Sequence, residues 1–344
     1  NWFQQNEKSF HKVIKNRYRI ERDFFDKLSP KLNELKDGFY YVTGMCDENT
    51  AELIITAEGA TQNIIFVEEL IDAAPKLEGW KFTALKPALD IKDVTIKMNG
   101  FEFGKEQISF YVNEDEAFPD EISITLLHKD FTTENKDTII QGTYIFLDNY
   151  LGELNFVTAI DEIKVTGETE GASERIPIEK LKDYLIWREK EFLEKYEGVW
   201  HDIENGNYQA LEATLQNGNP FLAIINSDLL EWDSKASHPW VMTVQIPYNG
   251  KDNNGMPKEE AYQMLNEIED EIMANLKASD GYLNIGRQTA DNERIIYFCC
   301  KDFRKPSKVI HGLQKTYHSK MPFTFEIYKD KYWQSLDRFR SQVK

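Results

Sequence analysis

Cysteine is scarce in this sequence: Cys46, Cys299 and Cys300 are the whole complement. Three thiols are too few and too odd in number for a disulfide framework, and no Asn-x-Ser/Thr acceptor occurs anywhere in the 344 residues. Both absences make a reducing cytoplasm the expected compartment. No apolar run approaches the ~20 residues needed to cross a bilayer, and no short hydrophobic segment behind basic residues marks a secretory signal. The chain opens on Asn1 rather than Met, which leaves a leader ahead of it open. Catalytic signatures are missing as well. There is no Gly-rich loop ending in Gly-Lys-Ser/Thr, no G-x-G-x-x-G behind a strand, no G-x-S-x-G elbow, and none of the six histidines stands in an H-E-x-x-H frame. Nucleotide-dependent, serine-hydrolase and zinc-peptidase chemistry have no handle here, and no cofactor is expected.

What the sequence has in quantity is acid and aromatic rings. The formal net charge is −18, unevenly spread: residues 1–200 carry 24 basic and 39 acidic groups, residues 201–300 carry 6 and 16, and residues 301–344 reverse the sign with 11 and 4. A body this negative repels phosphate backbones, so nucleic acid is not the expected partner. With 21 Phe, 16 Tyr and 7 Trp, the chain has ample material for packed cores, and its length suggests two of them at roughly 100 to 200 residues per domain.

Periodicity orders the chain. Phe24, Phe25, Leu28, Leu32 and Leu35 fall at helical spacing, with Ser29-Pro30 as a kink or a fresh helix start. Apolar runs Phe39–Met45 and Leu53–Ala57 flank the polar Asp47-Glu48-Asn49 and read as a hairpin. A helical stripe Ile64, Val67, Ile71, Ala74 and a strand Trp80–Ala84 follow. Short strands at Val94–Lys97, Gln107–Val112 and Glu121–Leu127, then a helix from about Thr133 to Leu151, complete a first domain of residues 1–166. Residues 167–200 are the bridge: an aperiodic loop Gly167–Arg175, then a charged helix with Leu181, Leu185, Phe192 and Tyr196 on one face and Gly198 at its end.

The second domain, 201–344, opens with a hairpin, Tyr208–Gln216 and Phe221–Ile225, around Asn217-Gly218. A strand Pro239–Pro247 turns Trp240, Met242, Val244 and Ile246 to one face, and a helix from Pro257 carries the stripe Ala261, Leu265, Ile268, Ile272, Leu276. Strands Tyr282–Gln288 and Arg294–Cys300, a helix Pro306–Tyr317, a strand Phe323–Tyr328 and a basic terminal helix follow. Apart from the hairpin the order is β-α-β-β-α-β, that of a ferredoxin-like split sandwich. The expected fold class is therefore α+β in two domains, the first a related α/β sandwich built on a helix-hairpin-helix-strand unit. The two halves align at a nearly constant offset, Gly38-Phe39-Tyr40 against Gly281-Tyr282-Leu283 and Trp80-Lys81-Phe82 against Phe323-Thr324-Phe325, by shared ancestry or by convergence.

Several residue groups invite chemistry. Cys299-Cys300 with His311 and His318 suggests zinc, but neighbours on a strand point to opposite faces and C-x2-C spacing is absent. One buried and one surface thiol, without metal, is the expectation. The acidic runs Glu114-Asp115-Glu116 with Asp120-Glu121, and Glu267-Glu269-Asp270-Glu271, miss the calcium-loop frame and read as solvated faces. Trp232, His238, Arg287 and Trp333 form the candidate interaction surface, with Trp240 assigned to the core. The basic tail, with Arg304, Lys305, Lys308, Lys315, Arg338 and Arg340, neutralises the acidic helix of its own domain or docks an acidic partner.

From about Phe221 to Phe339 the sequence resembles the bacterial domain of unknown function 695 family. The residues that carry the likeness are His238-Pro239-Trp240, Gly255-Met256-Pro257, Ile268-Glu269-Asp270-Glu271, Gly281-Tyr282 with Gly286-Arg287, Arg294-Ile295-Ile296-Tyr297-Phe298 and Tyr332-Trp333. The resemblance implies a ferredoxin-like α+β domain and supplies no activity. Its members are similar in layout to the regulator-of-ribonuclease-E-activity B family, small acidic proteins that inhibit a nuclease by binding it; the Cys299-Cys300 ending and the basic tail depart from that layout. Upstream, Thr56-Ala57-Glu58-Gly59, Gly79-Trp80-Lys81-Phe82 and Gly152-Glu153 look like the partner domain found ahead of such modules. The expected function is a non-catalytic binding or regulatory role through contacts with a protein partner. The alternative is an enzyme or small-ligand binder using carboxylates such as Glu58, Glu153 or Asp161 in an inter-domain cleft.

Overall fold

A computed structural model describes residues 2–167, 174–203 and 206–340. It divides into two compact units, residues 1–115 with 121–189, and residues 116–120 with 190–344. The protein is α+β, with helices and separate sheets in each unit.

The first unit opens on α1 (Trp2–Asn16), a helix absent from the sequence expectations although Trp2, Phe3, Phe10, Val13 and Ile14 fall at helical spacing; Phe10 and Ile14 are buried. A five-residue π-helical turn, Glu21–Phe25, leads into α2 (Asp26–Asn33), which runs through Pro30. The irregularity lies at the π turn rather than at the proline. Strands β1 (Tyr40–Met45) and β2 (Ala51–Thr56) form the expected hairpin. Helix α3 (Thr61–Asp72) then carries the chain back to β3 (Trp80–Ala84), which pairs parallel with β2 as a β-α-β crossover allows. Phe3 sits edge-on to Trp80 and Phe82, with ring centres 4.8 and 5.2 Å apart.

A small hairpin, β4 (Ile96–Met98) and β5 (Phe101–Phe103), precedes β6 (Ile108–Asn113) and β7 (Ser123–His128). Helices α4 (Lys136–Leu151) and α5 (Glu153–Ala159) lead to β8 (Glu162–Gly167), parallel to β7, and β9 (Ile176–Pro177) completes a sheet ordered β8-β7-β6-β9. Ile139, Phe146, Leu147 and Leu151 of α4 fill one core with Phe110, Ile124 and Leu126 of this sheet. The loop expected over Gly167–Arg175 falls, for residues 168–173, outside the described residues. Helix α6 (Leu181–Lys195) follows where the charged amphipathic pattern placed it.

The second unit is built on one six-stranded antiparallel sheet. Its strands are β10 (Tyr208–Thr214), β11 (Pro220–Asn226), β12 (Trp240–Pro247), β13 (Tyr282–Ala290), β14 (Glu293–Cys300) and β15 (Thr324–Lys329), in the spatial order β10-β11-β13-β14-β12-β15. Between β11 and β12 lies a short α7 (Ser227–Leu230), between β12 and β13 lies α8 (Glu259–Asn275), between β14 and β15 lies α9 (Arg304–Tyr317), and α10 (Asp337–Arg340) ends the described chain. From β12 onward the chain order is β-α-β-β-α-β, and the hairpin β10-β11 extends the sheet beside β13. Ala290 and Glu293 pair across the turn Asp291-Asn292, where both residues take positive φ, as a tight two-residue hairpin demands.

This sheet is covered on both faces, which corrects two sequence expectations. Strand β12 buries Val241 and Thr243 as well as Trp240, Met242 and Val244. Cys299 and Cys300 do point to opposite faces, but both are fully buried, and neither is a surface thiol. The second face is closed by segments without helical periodicity: Leu229, Leu230, Trp333, Leu336 and Phe339 pack on Val241, Leu283, Ile285 and Cys299. The aligned halves also pair differently. In the first unit β2 lies beside β3, whereas in the second unit β12 separates β14 from β15. Among the described residues no helix is long and apolar enough to cross a membrane.

Candidate anion-binding site

Helix α8 crosses the sheet with Leu265, Ile268 and Ile272 buried, and Glu269 lies on that same stripe at only 3% exposure. A carboxylate held there needs cationic partners, because burying it unpaired is prohibitive. Two strand residues supply them. Arg287 of β13 donates from Nη1 to Glu269 Oε1 at 2.9 Å, and Arg294 of β14 brings its Nη1 to 3.6 Å from Glu269 Oε2. Arg294 is 1% exposed, and it also donates from Nη1 to Asn266 Oδ1 (2.8 Å) and from Nε to Thr289 Oγ1 (3.1 Å). Burial and the like charge of Arg287 lower the proton affinity of Arg294, and Glu269 acts the other way. A guanidinium keeps its charge even so.

The two arginines line a cavity of about 140 Å³. Its other walls are the apolar side chains of Leu222, Ile224, Met256 and Pro257, with Tyr262 at 42% exposure on α8. Cross-strand register puts these groups together: Ile224 stands opposite Arg287, Leu222 opposite Thr289, and Thr289 opposite Arg294. Two glycines let the backbone close around them. Gly286 has φ +132° at an irregularity in β13, and a Cβ there would meet the Ile224 carbonyl oxygen at 2.1 Å. Gly255 has φ +78°, and a Cβ there would meet Asp291 Cα at 2.9 Å, so glycine lets the loop ahead of α8 lie on the β13-β14 turn. Tyr248 fastens that loop by donating to the Gly255 carbonyl at 2.8 Å.

The acidic run 267–271 is therefore not a wholly solvated face: Glu269 is buried, because it occupies a stripe position. Asp120, from the other run, is also largely buried. Burial works against its ionisation, but Lys195 (2.7 Å), Tyr332 (2.6 Å) and Tyr196 (2.8 Å) donate to it and hold its carboxyl below the usual range. Among the described residues no group of three or more His, Cys, Asp or Glu could hold a metal ion.

Of the four residues named as an interaction surface, Trp232, His238 and Trp333 lie together, with Arg287 outside their cluster. Trp333 is 1% exposed and His238 is fully buried, so neither presents a surface. Both belong to an aromatic cluster in which Trp232 lies 5.4 Å from His238 and 6.0 Å from Trp333, and the Trp333 indole donates to the His238 carbonyl. Trp240 is buried on the opposite face, edge-on to Phe303. Arg287 alone reaches the cavity. In the basic tail, Arg340 pairs with Glu231 and Asp337, and Lys305 with Asp280, in the same unit but outside the acidic helix α8.

Of the carboxylates named for acid-base work, Glu153 and Glu58 meet at one corner of the first unit, beside Lys86. Glu153 is 1% exposed and accepts from Thr56 Oγ1 (2.5 Å) and the backbone N–H groups of Ala57, Gly59 and Lys86. Lys86 pairs with Glu58 and Asp148, while Asp161 accepts from the Ile122 N–H. Glu153 thus pins three chain segments. Glu153→Gln, which turns one acceptor into a donor facing donors, should lower stability by about 1–3 kcal/mol in urea denaturation.

Residues 212–339 match the family of unknown function DUF695. The match begins within β10 and takes in the whole cavity wall. Five residues of the DUF695 region by which the sequence resembles that family, Met256, Pro257, Glu269, Arg287 and Arg294, converge on this cavity or its ion-pair network. No curated protein and no solved structure matches the chain.

Proposed function

We propose that the protein is a non-catalytic binding or regulatory protein whose DUF695 region receives an anionic group at Arg287 and Arg294. The observation that carries this reading is charge: two guanidiniums share one carboxylate, Glu269, at the wall of a cavity. An uncompensated positive charge in a mostly apolar surrounding is costly, and an incoming anion offsets it. The groups present favour binding over chemistry. Guanidiniums stay protonated and cannot serve as bases, and a carboxylate already engaged by two of them is a poor one. Metabolite pockets run to roughly 300–1,000 Å³, so a 140 Å³ cavity takes one group of a ligand or partner rather than a whole nucleotide.

Thermal unfolding at constant ionic strength tests this. Small anions should raise the melting temperature of the full chain above that in chloride, and Arg287→Met should abolish the rise. Equal melting temperatures in all anions would overturn the reading.

A further inference from the structure

We infer that the group received is a monovalent carboxylate on a short apolar stem. This rests on the anion-binding reading above and specifies its ligand. The charge count is the first argument. Arg287 and Arg294 carry two positive charges and Glu269 one negative, while Asn266, Thr289 and Tyr262 are neutral. A single negative charge balances the set, whereas a phosphate dianion would leave an excess negative charge in a half-buried place beside Glu269.

Donor geometry is the second argument. The contacts within the chain use Nη1 of both guanidiniums and Nε of Arg294. Among the described residues no bond is made by Nη2 of Arg294, nor by Nε and Nη2 of Arg287. Those N–H groups suit the two oxygens of a planar carboxylate, the natural partner of a guanidinium fork. Size and lining are the third argument. A cavity near 150 Å³ holds a benzene molecule, so 140 Å³ has room for a carboxylate and a few carbons. Leu222, Ile224, Met256 and Pro257 favour a stem without polar atoms, and a second charge on that stem would be buried among them. Two sources share this chemistry: a free short-chain monocarboxylic acid, and the C-terminal residue of a peptide with an apolar side chain.

Isothermal titration of the full chain decides between outcomes. Five probes are used: sodium valerate, valeramide as its neutral isostere, inorganic phosphate, and the tripeptide Ala-Ala-Val with a free and with an amidated terminus. Valerate or the free-acid peptide should bind saturably, and their amides about tenfold weaker or less. Arg287→Met should weaken the charged probes by a similar factor, and Arg287→Lys should restore only part, since it keeps the charge without the fork. Hydrogen exchange at Arg294 and Thr289 confirms that the variants keep the sheet. Tighter binding of valerate than of the peptide identifies a free acid as the source, and the reverse identifies a chain terminus. Phosphate binding as tightly as valerate, with sensitivity to Arg287→Met, would overturn the carboxylate inference and leave the anion-binding reading standing. Binding of no probe, or binding indifferent to Arg287, would end both.

Discussion

Glu269→Leu should destabilise the DUF695 region by about 3–5 kcal/mol, because removing one partner of a buried ion pair strands the other. Arg294 is 1% exposed and cannot turn to water without opening the sheet, and Arg287 beside it would then add repulsion where Glu269 now adds attraction. Leucine nearly matches glutamate in size and suits the stripe of Leu265, Ile268 and Ile272, so packing loss is not the main term. Urea denaturation followed by hydrogen exchange of the β13 and β14 amides measures the effect. Adding Arg294→Met to Glu269→Leu should recover much of the loss, since an apolar replacement of a buried ionic set is often neutral or better. A Glu269→Leu variant within about 1 kcal/mol of the parent would show a hydrated, weakly coupled network and would weaken the charge argument for the site.

The pattern of the chain shows why this network was only half legible. Glu269 betrays itself at the level of sequence: it falls in step with Leu265, Ile268 and Ile272, and a charge on an apolar stripe asks for a partner. The partner is another matter. Arg287 and Arg294 come together through a two-residue turn and an irregular register at Asn284/Gly286, and pairing register is a tertiary property. The order of strands and helices from Trp240 to Lys329 follows from periods of 2 and 3.6, because each element there buries a full face. Strands of two or three residues, such as β4, β5 and β9, offer too few positions to show a period. His238 and Trp333 looked like surface residues because what buries them, residues 227–237 and 330–340, is coil and single helical turns.

His238 is the second place where burial sets a large effect, and here pH is the variable. The ring is fully buried, and burial, with the positive charges of Lys301 and His201 adding to it, lowers its pKa to about 3. Its bonding fixes the tautomer. Ser237 Oγ donates its one hydrogen to the Ser234 carbonyl at 2.6 Å, so at 2.8 Å it can only accept from Nδ1–H, and Nε2 is left as a bare, unpartnered lone pair. With the folded pKa below the unfolded value near 6.5, the unfolded chain takes up the proton first. Stability from this group is complete above pH 6.5 and lost as pH falls toward 3. The expected slope well below pH 6.5 is about 1.4 kcal/mol per pH unit, or roughly 2 kcal/mol between pH 6.5 and pH 5 and about 5 kcal/mol in full. His238→Asn, which keeps a donor for Ser237 and cannot titrate, should lose that slope while carboxylates common to both chains still titrate. Hydrogen exchange of the β12 amides, measured at pH 7 and pH 5 and corrected for intrinsic rates, reads the opening of this unit directly. Parallel pH dependences in parent and variant would mean that the imidazole can take up its proton without opening the fold, through water reaching Nε2.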